Sequence, residues 1–302
     1  MEKRKKQLNR NGMYRKQEKY FYGFISLWLI GFFVFILGPM LYSLYASFTD
    51  WNGITAPVFS GIKNYVRVFT QDDLVGKSIL NTLVFTLVSV PLNLVIGLVL
   101  ATLLNKRYFA SNFFRALFYM PSVIAGVAIY IAWTYLMNTN NGIFNLWLSR
   151  LGLEGVGWLT DPHWAMISII LVNATSCGGQ MLIILAGLQD IPRDYYESAM
   201  LDGAGKLRQF FSITLPLLTP VVFFNVIMSI IAGLQVFTQP WILTQGGPLN
   251  ATYVYGIHLY NNAFRYYQFG YSCALAWLLL VVVLGVTGLV FGSARRWVFY
   301  RE

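Results

Sequence analysis

The chain has 302 residues, of which 57% are hydrophobic, 17% aromatic and only 11% charged, with a mean hydropathy of +0.56. That balance excludes an ordinary soluble domain and indicates an integral membrane protein. The net charge of +10 could suggest a nucleic-acid partner, but basic residues at the ends of membrane spans are topology signals and phospholipid contacts, so no nucleic acid is expected.

Residues 1–19 form a basic tail. A charge-free run from 21 to 49 follows, too long for the core of a cleaved signal peptide and without a small-residue cleavage site, so it reads as a first span at about 21–46. Further charge-free runs at 78–105, 116–149, 162–189, 209–264 and 266–294 place spans at about 79–104, 115–137, 164–187, 215–237 and 272–293. The fold class expected is an all-α polytopic membrane protein: six transmembrane helices in one domain covering 20–302, with a helix-turn-helix between spans 4 and 5. Alternation then puts seventeen of the 22 Lys and Arg residues on one face, which assigns both termini and the 190–214 loop to the cytoplasm of a bacterial-type cell membrane. Loop 1–2 contains SGIKNYVRVF, which has one turn of amphipathic helix in it.

Recognisable catalytic motifs are absent. There is no G-x-x-x-x-G-K-[ST], H-E-x-x-H or G-x-S-x-G, and His163 and His258 fall at predicted outer ends of spans. Cys177 and Cys273 suit packing rather than redox or metal chemistry. Ionisable residues are missing from mid-membrane, which argues against an ion-coupled secondary transporter. Neutral polar residues are present: Asn173, Ser176 and Gln180 share one face of span 4, and Asn225 and Ser229 one face of span 5. Two readings stand for them, helix-to-helix hydrogen bonding and the lining of a polar path, to which Tyr130 and Trp133 would add stacking surfaces.

Charge gathers in ESAMLDGAGKLRQFFSITLPLLTP, from Glu197 to Pro220. Pro192, Asp194 and Glu197 suit a helix start, predicting a short helix over Arg193–Leu201. Gly203 and Gly205 interrupt it, a second short helix follows over 206–213, and Pro216 leads into span 5. Residues 190–208 hold four acids against three bases, unlike the basic face of a lipid-surface helix, so docking onto a cytoplasmic protein partner is expected.

This segment resembles the EAA loop of permease subunits of binding-protein-dependent ABC importers, E-A-A-x-x-D-G-A followed about a dozen residues later by I-x-L-P. Glu197, Ala199, Asp202, Gly203, Ala204, Ile213, Leu215 and Pro216 match. Ser198 stands for the alanine at the motif's second position, and Phe211 and Ser212 stand where many members carry glycine. PMLYSLYASFTDW from Pro39, GIKNY from Gly61, NTLVFT from Asn81, YMPSVIA from Tyr119 and LTQGGP from Leu243 are similar to the carbohydrate branch, which includes the maltose and glycerol-3-phosphate permeases.

The resemblance implies that the chain pairs with a second, different permease and docks through Glu197, Ser198, Ala199, Asp202, Gly203, Ala204 and Arg208, ahead of Pro216, onto one of two ABC ATPase subunits. An extracytoplasmic binding protein would deliver a sugar or oligosaccharide. The chain itself would bind no cofactor and be no enzyme; ATP and Mg would be used by the partner ATPase. Alternatives are an ion-coupled secondary transporter, a membrane scaffold or sensor without a solute path, and an ABC permease for a non-sugar solute.

Overall fold

The computed structural model describes residues 20–106 and 110–299; the basic tail of residues 1–19 lies outside them. Helix α1, Tyr20–Ser47, leads into a small antiparallel pair of strands, Thr49–Asp50 and Val58–Phe59, with Thr49 opposite Phe59. The short helix α2, Lys63–Thr70, follows, in the segment where one amphipathic turn was expected. Asp72 then caps α3, Asp73–Leu104, its carboxylate accepting from the Leu74 backbone N–H at 3.2 Å, so this helix begins several residues before the apolar run that predicts it.

Spans 3 and 4 are each broken. Helices α4, Ser111–Val123, and α5, Gly126–Leu136, meet at 98°. After α6, Ile143–Arg150, helices α7, Pro162–Ala174, and α8, Gly178–Gln189, meet at 45°. The two breaks touch. A Cβ added at Gly178 would lie 2.2 Å from the Phe118 carbonyl oxygen, so glycine is what lets α4 approach the start of α8. Ser122 ties the breaks together: its hydroxyl donates to the Ser176 carbonyl at 3.4 Å and accepts from the Gly179 N–H at 3.2 Å. Hydropathy averages over such breaks, because both halves are apolar.

Helix α9, Arg193–Leu201, spans the residues expected for it. The second short helix does not stand apart: α10 runs unbroken as Lys206–Leu234, through a π-type stretch at Phe210–Thr214. Pro216 explains this. Its ring would strike the carbonyl one turn back in a regular helix, and a wider turn just before it relieves that contact without ending the helix. The same device precedes Pro39, where Phe32–Leu37 is π-type. Two short helices, α11 at Thr238–Thr244 and α12 at Tyr255–Tyr260, precede the last, α13, at Phe269–Trp297.

Among the described residues, four helices are thus long and apolar enough to cross a membrane, or up to six spans if each bent pair is one. At the end carrying α9, Leu104, Leu188 and Leu218 share an apolar cluster joining α3, α8 and α10. At the other end, Val68, Val75, Tyr255, Tyr271 and Leu275 join α2, α3, α12 and α13. Cys177 is buried and Cys273 half-buried, both as free thiols.

Candidate functional sites: a docking loop and a polar cavity

The motif of the 190–214 loop has a backbone explanation. Helix α9 ends in a Schellman stop: the Ala204 N–H donates to the Ala199 carbonyl at 2.9 Å and the Gly203 N–H to the Met200 carbonyl at 3.0 Å. This stop needs a left-handed residue, and Gly203 supplies it at φ +75°. Two further bonds fix the loop on α10, Gln209 Nε2 to the Ala204 carbonyl at 2.8 Å and Tyr196 Oη with Thr214 Oγ1 at 2.9 Å. Ala199 and Ala204 turn inward, half-buried; Glu197, Ser198, Asp202 and Arg208 are exposed, and Pro216 lies half-buried inside α10.

Apolar side chains on this loop also face outward. Leu201 is 89% exposed, Leu207 77% and Met200 58%, at the end of the molecule rather than on its lipid-length flank. Lys206 and Arg208 sit at the N-terminus of α10, where the helix dipole disfavours positive charge. Neither feature stabilises the isolated chain.

The intramembrane polar residues divide differently. Asn173, Gln180, Asn225 and Ser229 line one cavity of about 460 Å³ between α3, α7, α8 and α10. Ser176, Tyr130 and Trp133 are not among its lining residues. Ser176 lies in the break between α7 and α8, its carbonyl engaged by Ser122. Tyr130 and Trp133 pack in an apolar cluster with Phe85, Ile169 and Leu243, Trp133 against the ring of Phe144 at 5.8 Å, so their aromatic faces serve packing.

Two cavity residues from α3, Ser89 and Asn93, escaped the sequence reading, although they repeat the i, i+4 spacing that drew attention to Asn225 and Ser229. Asn93 Nδ2 donates to Asn173 Oδ1 at 2.6 Å, and Asn173 Nδ2 to Gln239 Oε1 at 3.3 Å. Gln180 Nε2 donates to Ser229 Oγ. These bonds tie helices together, while Ser89 Oγ, Asn93 Oδ1 and Gln180 Oε1 are buried without a partner among the described residues. The same group thus bonds helices to one another and lines a cavity. None of the cavity's lining side chains is titratable, and among the described residues no group of three or more His, Cys, Asp or Glu could hold a metal ion.

At the end of the molecule away from α9, Asp72 accepts from Tyr271 Oη, in the first turn of α13, at 2.7 Å and lies 3.1 Å from His258 Nε2. His258 Nδ1 meets Tyr253 Oη at 3.3 Å, and Tyr253 Oη accepts from Asn261 Nδ2 at 3.2 Å. Burial lowers the His258 pKa from its ordinary value, outweighing the opposing pull of Asp72. The imidazole is thus neutral near pH 7, with Nε2–H donating to Asp72 and Nδ1 accepting from Tyr253.

Comparison with known proteins agrees with this architecture. The family model described as "Binding-protein-dependent transport system inner membrane component" matches residues 93–299. A probable ABC transporter permease of Bacillus subtilis, YesP, is 39% identical, covering 95% of this chain and 94% of its own. The lactose transport system permease protein of Rhizobium radiobacter is 35% identical (87% and 90%), and the trehalose/maltose transport system permease protein of Thermococcus litoralis 36% (84% and 86%). The fold matches a chain in the crystal structure of a bacterial alginate ABC transporter with TM-score 0.83 at 23% identity, over 93% of this chain and 96% of that one. This protein is embedded in the membrane and belongs to the family of binding-protein-dependent transport system inner membrane components.

Proposed function

We propose that this chain is one transmembrane half of an ATP-driven importer for a sugar or oligosaccharide, paired with a second, different permease. It receives substrate from an extracytoplasmic binding protein and transmits the motion of two cytoplasmic ATPase subunits. The 190–214 loop and both termini face the cytoplasm on this reading, and α9 seats in a groove of an ATPase subunit. The single observation that carries it is a rigidly stopped helix, α9, with Leu201 and Leu207 left bare at the end of the molecule. An apolar surface so placed is unfinished without a protein partner. Glu197 and Asp202 beside Lys206 and Arg208 then give that contact its register, and ATP and Mg are used by the ATPase. The named sugars of the lactose and trehalose/maltose relatives support the substrate class. Ion coupling, the competing mechanism, has no titratable cavity residue to work with.

The test is to purify the chain from its native membrane in mild detergent and identify its companions by mass spectrometry. A second permease and a P-loop ATPase are expected. Recovery of the chain alone, with stable transport in liposomes that collapses with the ion gradient, would overturn the proposal.

A further inference from the structure

The polar cavity has a direction. On one wall, Gln239 Nε2 donates to the Ile169 backbone carbonyl at 2.6 Å. A carbonyl oxygen can only accept, so the Gln239 amide has one permitted orientation, with Oε1 turned to Asn173. Asn173 must then donate to Gln239 and accept from Asn93, which leaves Asn93 Oδ1 as the open end of the relay.

The other wall repeats the logic. Ser229 Oγ donates to the Asn225 carbonyl at 2.7 Å, and Asn225 Nδ2 to the Val221 carbonyl at 2.8 Å. The Ser229 proton is thereby committed, so Ser229 accepts from Gln180 Nε2 and Gln180 Oε1 is left open. Each relay is anchored on a backbone carbonyl, and each ends in a bare, buried acceptor oxygen. An acceptor buried without a proton loses the bond that water would have given it, and no cation lines the cavity.

Resting on the carbohydrate reading above, we propose that the cavity selects uncharged solutes by their hydroxyl protons, given to Asn93 Oδ1 and Gln180 Oε1, and discriminates against carboxylated sugars. Two hydroxyls of one solute serve the two open acceptors, and each can accept in turn from Ser89 or from the second amide proton of Asn93 or Gln180. A carboxylate brings no proton and meets two oxygens across a wall without compensating charge.

The complex purified through this chain, in nanodiscs and without its binding protein, isolates the cavity's own preference. Equilibrium binding is measured for lactose, maltose and trehalose, for an O-methylated maltose that cannot donate, and for digalacturonate. At least one neutral disaccharide is expected to bind roughly tenfold or more tighter than digalacturonate. Where that disaccharide is maltose, O-methylation should remove most of its affinity. Asn93→Ala and Gln180→Ala should each weaken the neutral ligand roughly three- to tenfold, and Gln180→Lys should raise digalacturonate binding relative to the neutral sugar. Digalacturonate binding as tightly as the neutral disaccharides would overturn the selectivity and leave the carbohydrate reading intact; binding of no saccharide would overturn both. If the variants misassemble, the panel on the unaltered complex still decides.

Discussion

The connection between α8 and α10 and the one between α10 and α13 are built in opposite ways. The first leaves Leu201 and Leu207 bare and is held by a helix stop and two side-chain bonds. The second buries Tyr253, Val254, Ile257 and His258 and is sewn to α3: Asn81 Nδ2 donates to the Asn250 and Tyr253 carbonyls at 2.9 and 3.1 Å, Thr82 Oγ1 accepts from the Tyr255 N–H at 2.9 Å, and Lys77 donates to the Leu249 carbonyl at 2.8 Å. One end of the molecule is closed by bonds within the chain; the other leaves apolar side chains bare.

Substitution should separate the two ends, one through stability and the other through coupling. Asp72→Ala removes the cap of α3 and the acceptor of both Tyr271 and His258, and is expected to cost about 2–4 kcal/mol, read as a lowered thermal midpoint in detergent. Uptake per folded transporter should fall far less. The reverse pattern is expected of Gly203→Pro, which cannot adopt φ +75° and loses the N–H that closes the helix stop. Uptake should drop tenfold or more while the midpoint moves by a few degrees, and Glu197→Lys should act in the same sense through the partner contact. Unchanged uptake in both variants would sink the coupling assignment.

Acid provides a milder probe of the complete end. His258 has its folded-state pKa below the ordinary 6.5, so the unfolded chain takes up its proton first as pH falls. Its contribution to stability is whole above about pH 6.5 and is lost as pH falls below that, and His258→Gln should flatten that slope. A midpoint that rose on acidification over this window would contradict the neutral imidazole. The smallest effect on the chain itself is expected for Leu201→Ser, within about 0.5 kcal/mol in stability, yet co-purification of the ATPase should fall.

The same contrast decides what could be read from the amino acids alone. Helix α9 was legible because its signals are local: Pro192 before it, Asp194 in its first turn and Gly203 after it. The spans were legible as lengths of apolar chain. Their breaks at 124–125 and 175–177 were not, since the cause at Gly178 is a backbone approach from α4, sixty residues earlier in the chain. Asp72 and Tyr271 are 199 positions apart, and no periodicity connects them. Asn173, Gln180, Asn225 and Ser229 were found by face and depth, and Ser89 and Asn93 obey the same rule on α3. Tyr130 and Trp133 stood open between stacking and packing, because aromatic type does not distinguish the two; both lie in an apolar cluster.

The first helix has a consequence for how the protein is made. In the most apolar window of Tyr20–Ser47 no residue is buried against the rest of the chain, and only its last turns, at Ala46 and Ser47, enter the interior. It leaves the ribosome before α2 to α13, and its helicity does not depend on burial against them. It can therefore settle in the bilayer while α3 to α13 are still being synthesised, fixing the orientation of all that follows before any tertiary contact exists.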